Sequence, residues 1–156
     1  MATVEVAFTP LPAHVRTARL VATAVARRSG VDEALLDEVR LAVGEACSRA
    51  VEAHRRHCPA EPVRIEMTDQ GERFVVVVRD SAPGAGTHAA QPAGNGASAP
   101  PPTGDAGDDD GMAIPAGFGL AVISGLADDV RVSSTSSGVS VQMSWPSTSA
   151  LPDAGA

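Results

Sequence analysis

Hydrophobic and polar residues alternate, or recur at helical spacing, through most of this chain, and the pattern predicts its elements in order. Val4 to Phe8 alternates, the period of a strand with one buried face. Pro10 and Pro12 end it. Leu11, Val15, Ala18, Ala22 and Val25 then step at three or four positions and predict a helix to about Arg28, stopped by Ser29-Gly30. Asp32 is placed to cap a second helix. Its buried stripe is Leu35, Val39, Ala42, Ala46 and Ala50, widened by Leu36, Val43 and Cys47, and Pro59 and Pro62 bracket its exit. Val63 to Thr68 alternates again, and Asp69-Gln70-Gly71 makes a turn. Phe74 to Val78 is an unbroken apolar run, which marks a central strand, so the two form a hairpin. Gly117-Phe118-Gly119 opens a short amphipathic helix. Val130 to Ser133 and Val139 to Trp145 form a second hairpin across Ser134 to Gly138. These elements predict a two-layer α/β sandwich: a mixed, mostly antiparallel sheet of about five strands covered on one face by three helices.

One segment breaks the pattern. Residues 81–116 hold 10 Ala, 7 Gly and 6 Pro, a composition that buries too little apolar surface to offset its ordering entropy. The expectation is a mobile loop, and its place between two candidate ligand motifs favours a lid. The organisation expected is one domain over residues 1–146, interrupted by this lid at 81–116, with a flexible tail at 147–156.

Composition narrows the function classes. At 156 residues the chain suits one domain, and with 44% hydrophobic but 3% aromatic residues its core must be Ala, Val and Leu. A net charge of −7 argues against nucleic acid or an anionic membrane as partner. No run of about eighteen apolar residues and no signal peptide is readable, and two cysteines are too few for a disulfide framework. A reduced, cytoplasmic protein is expected. All twelve basic residues are Arg. Without a lysine, a Walker A loop, a eukaryotic-type protein kinase site and Schiff-base chemistry are excluded.

Three motifs carry candidate chemistry. Glu45-Ala46-Cys47-Ser48-Arg49 lies within the second helix, Asp80-Ser81-Ala82-Pro83-Gly84 follows the apolar strand, and Gly117-Phe118-Gly119-Leu120 opens the third helix. Glycines at a helix start let the backbone approach an anion and expose free N–H groups to it. In order and spacing these motifs resemble the GHKL (Bergerat-fold) ATPase superfamily. The nearest branch is the bacterial anti-sigma-factor serine kinases typified by RsbW and SpoIIAB, here with a degenerate Glu-x-x-x-Asn box. The resemblance implies that Glu45 is the catalytic base and that residue 49 should be the asparagine that ligates Mg²⁺. It implies that Asp80 accepts from the adenine amine. Gly84, Gly117, Gly119 and Leu120 complete the nucleotide-binding set, with ATP or ADP as ligand.

Two positions depart from that pattern. Arg49 stands where the asparagine belongs, and a guanidinium has no acceptor with which to hold Mg²⁺. Spacing of four puts it on one helix face with Glu45. Three outcomes are open: Arg49 contacts phosphates in place of the metal, pairs with Glu45, or points outward. Ala82 replaces the first loop glycine. Plainer readings stand beside these: Asp80 as a turn residue or a partner of Arg79, and Gly117 and Gly119 as an unliganded helix start. His54, His57 and Cys58 read as solvated helix-end residues rather than a metal site, Asp108-Asp109-Asp110 as a solvated acidic loop, and Cys47 as a core residue. The resemblance implies a regulator that binds a sigma factor and a STAS-domain anti-anti-sigma factor, with a homodimer as a further contact. Arg49 implies weak or absent kinase activity. The alternatives are an active ATP-dependent serine/threonine kinase acting on the STAS antagonist, and a nucleotide-independent scaffold.

Overall fold

The computed structural model describes residues 2–82 and 119–148, with Gly119 and Leu120 described in backbone only. The expected lid, apart from Ser81 and Ala82, therefore lies outside the described residues, as do Gly84, Gly117 and the tail beyond Thr148. In chain order the elements are β1 (Ala2–Phe8), α1 (Pro12–Arg28), α2 (Leu36–His57), β2 (Val63–Asp69), β3 (Arg73–Arg79), α3 (Gly119–Leu126), β4 (Asp129–Thr135) and β5 (Gly138–Pro146).

Local chemistry explains the helix ends. Pro12 begins α1, where a missing N–H costs nothing. Asp32 caps as expected, accepting from Ala34 N at 2.8 Å, but the turn it starts is a short 3₁₀ segment over Glu33–Leu35 that feeds α2. Acidic Asp37 and Glu38 sit in the first turn of α2 and His54, Arg55, Arg56 and His57 in its last, the arrangement the helix dipole favours.

The sheet order is β1-β2-β3-β5-β4, so the apolar run of β3 is central, as its composition predicts. Every pairing among the described residues is antiparallel, which corrects the expectation of a mixed sheet. The reason is topological. β3 and β4 point the same way, as a crossover through a helix allows, but the second hairpin inserts β5 between them. No parallel ladder forms among the described residues.

Period-two alternation turns Val63, Ile65 and Met67, Phe74, Val76 and Val78, and Val139, Val141, Met143 and Trp145 toward the helices, where all are buried. They meet Val15, Ala18, Ala22 and Ala26 of α1, the stripe of α2 from Leu36 to Val51, and Ile123 of α3. Small alanines let α1 and α2 pack closely. Trp145 supplies bulk and fixes α3, donating its indole N–H to the Leu126 carbonyl at 3.0 Å. The opposite face of the sheet carries paired charges. Arg64 meets Glu5 at 3.3 Å, Arg79 meets Glu66, and Arg73 reaches both Asp128 at 2.8 Å and Ser144.

Ser147 and Thr148, the first residues of the expected tail, are tied down. Ser147 N donates to Glu72 O at 2.9 Å and Thr148 N to Gly30 O at 3.0 Å. Gly30 has φ +81°, and a Cβ there would lie 1.8 Å from the Thr148 carbonyl, so the close crossing requires glycine.

Candidate functional site

α2 lies between α1 and α3, and its α3-facing flank approaches the end of β3. There the structure joins two of the residues singled out from sequence. Arg49 Nη1 donates to Asp80 Oδ2 at 3.2 Å. The Asp80 side chain is 1% exposed and that of Arg49 22%. This contact is none of the three outcomes open for Arg49, because its partner is 31 positions away along the chain. Arg79, adjacent to Asp80, pairs with Glu66 instead. Glu45, one turn before Arg49, is half-buried and makes no hydrogen bond or ion pair among the described residues.

Asp80 is held on several sides. Its Oδ1 accepts from Val139 N at 3.0 Å and from Ala82 N at 3.2 Å, the second closing a tight turn with its own backbone. Its N–H donates to the Val139 carbonyl at 2.9 Å. With Arg49, three donors reach one buried carboxylate, most of its acceptor capacity. The next residue on β5 makes this approach feasible. Gly138 has φ +144°, and a Cβ there would lie 2.0 Å from the Asp80 carbonyl oxygen. Ala82, where the family loop has glycine, is fully buried.

His54 corrects the sequence reading. It is not a solvated helix-end residue but fully buried. Its Nε2 accepts from Ser81 N at 2.8 Å, which fixes the ring proton on Nδ1, and Nδ1 donates to the Glu61 carbonyl at 2.8 Å. It therefore ties the end of α2 to the entry of β2 and to the loop beside Asp80. The signal was present in the sequence: His54 continues the helical steps through Cys47, Ala50 and Val51. Cys47 is in the core as expected, and burial pushes its thiol up to about 12, against the opposing pull of Arg19. Gly119 opens α3 as the motif predicts. Among the described residues no group of three His, Cys, Asp or Glu side chains is placed to hold a metal.

This geometry does not fit Mg²⁺. Arg49 occupies the position of the expected ligand, carries positive charge and offers no lone pair. It also stands on Asp80, the residue to which the resemblance assigns the adenine amine.

The profile of a family described as the histidine kinase-like ATPase domain matches residues 8–145. The chain belongs to this family. Comparison with curated proteins by sequence finds no match. Among solved structures, this histidine kinase-like ATPase domain is similar to the RsbU and RsbW domains of Rv1364c from Mycobacterium tuberculosis. The TM-score is 0.64 and the identity 15%, with 96% of this chain and 33% of that chain covered. The chain thus spans about a third of that protein's chain, and at this identity the likeness is one of fold. The family match agrees with the GHKL resemblance carried by the motifs, and the structural likeness agrees with the fold it implies. Membership makes nucleotide the ligand class of the fold. No helix among the described residues is long and apolar enough to cross a membrane.

Proposed function

We propose that this domain is an anti-sigma-type regulator that acts by docking to protein partners, with weak or absent phosphotransfer. The partner kinds are a sigma factor and a STAS-domain anti-anti-sigma factor, which would place it in the cytoplasm; a homodimer is a further proposed contact. The observation that carries the reading is the Arg49–Asp80 ion pair. It takes the residue at the metal-ligand position and the residue at the base-reading position and satisfies each with the other. Adenine nucleotide must displace Arg49 to reach Asp80, and displacement leaves a buried carboxylate short of its counter-charge.

A second reading, an ATP-dependent serine/threonine kinase acting on the STAS antagonist, is favoured by Glu45, whose carboxylate has no partner among the described residues. A nucleotide-independent scaffold is the limiting form of the first reading. The test is incubation with a STAS-domain protein and Mg²⁺-ATP, following phosphate on Ser or Thr, alongside a pull-down with both partner kinds. The expected result is capture of a sigma factor or STAS protein with little transfer. Rapid stoichiometric transfer contradicts the docking reading, and capture of neither partner removes it.

A further inference from the structure

The opposite flank of α2 faces α1, and the two helices enclose a groove of about 360 Å³ lined by Arg16, Arg19 and Arg55, with Ser48, Glu52 and the apolar Val15 and Val51. The ion pairs of the molecule make this lining unusual. Eight of the twelve arginines pair with a carboxylate among the described residues. The other four are Arg16, Arg19, Arg28 and Arg55, and three of these line this one groove. Glu52, the acid in the lining, is already bound to Arg56 at 2.6 Å. Three arginines that pair with no carboxylate among the described residues therefore line this groove, in a chain whose net charge is −7.

Arg19 is the best fixed of the three. It lies across Gly44 of α2, where a Cβ would fall 2.3 Å from its Nε and 2.9 Å from its Cζ. The missing side chain leaves room for the guanidinium beside α2. Its Nε is enclosed and has no hydrogen-bond partner among the described residues. An enclosed donor without an acceptor is costly, and native proteins keep few of them.

We infer that the α1–α2 groove is a binding site for a small phosphorylated molecule, separate from the Arg49–Asp80 site. Its volume lies at the lower end of small-ligand sites. Arginines from two helices suit a tetrahedral, multiply charged oxyanion, which accepts from several planar donor forks at once. The Ser48 hydroxyl adds a donor, and Val15 and Val51 offer an apolar wall to the ligand's carbon portion.

The experiment is calorimetric titration of the whole chain with inorganic pyrophosphate. Saturable one-to-one binding is expected, weakened at least tenfold in Arg19→Gln, in Arg55→Gln and in Gly44→Ala, whose new methyl displaces the Arg19 guanidinium. Arg28→Gln, which removes the unpaired arginine outside the groove, and Arg49→Gln should bind like the parent. The inference fails if binding does not saturate, or if Arg28→Gln loses as much as Arg19→Gln, which indicates diffuse charge. It fails also if Arg49→Gln abolishes binding, which places the anion on the other flank of α2. Tighter binding of a Glu-rich peptide than of pyrophosphate overturns it in favour of an acidic protein segment.

Discussion

The two flanks of α2 treat arginine in opposite ways. Toward α3 and the end of β3, Arg49 is spent internally on a carboxylate that is 1% exposed. Toward α1, Arg16, Arg19 and Arg55 line open space together with Glu52, whose carboxylate is paired with Arg56. One helix thus carries a closed site and an open one within a few residues, Ser48 facing one and Arg49 the other. What closes the first is not helix geometry but a single partner delivered by β3. Charge at a position says little until the partner is known: the same guanidinium is structural on one flank and available on the other.

Substitutions should separate the flanks by size of effect. Asp80→Ala removes the acceptor of Val139 N, Ala82 N and Arg49 together, leaving two enclosed backbone donors and a cation unpaired. A loss of about 3–5 kcal/mol in urea unfolding is expected. His54→Ala creates a cavity and orphans Ser81 N and the Glu61 carbonyl, for about 2–4 kcal/mol by the same measurement. Arg49→Ala leaves Asp80 its two backbone donors and should cost about 1–3 kcal/mol. On the open flank, exposed Arg55→Gln should change stability by less than about 0.5 kcal/mol, and Arg19→Gln, which removes an enclosed donor without a partner among the described residues, should not destabilise. If they destabilise as much as Arg49→Ala, the contrast between the flanks is gone.

The fold was largely legible because its core depends on local periodicity. The alternation of β2 and β5, the unbroken run of β3 and the alanine stripes of α1 and α2 each state which face is buried, and burial follows. The site was legible only in part. The spacing of Glu45 and Arg49 is a local fact and correctly puts them one turn apart on α2. The partner of Arg49 is a tertiary fact, since Asp80 reaches it only because β3 packs against α2. The uniformly antiparallel sheet was missed for a similar reason: whether β5 falls between β3 and β4 or outside them is not written in any one segment. His54 was misread because histidine near a helix end suits the dipole and looks solvated, although its phase along α2 is that of the core.

Burial raises the Cys47 thiol from an ordinary 9.0 to about 12, and Arg19 pulls it back toward ionisation. An acid raised in the folded state favours folding below its unfolded value, and that contribution fades as pH climbs from about 9 to 12. The urea midpoint should therefore fall across this window, and less so in Cys47→Ala. At pH 8.5 a thiol reagent should label Cys58, which is partly exposed, and spare buried Cys47.

The central claim is that Arg49 stands on Asp80 in place of a nucleotide. Calorimetric titration of ATP with Mg²⁺ into the parent chain and into Arg49→Asn tests it most directly. The account expects weak or undetectable binding to the parent, and at least tenfold tighter, Mg²⁺-dependent binding to Arg49→Asn. Tight Mg²⁺-dependent binding to the parent, unchanged or weakened by the substitution, would contradict it.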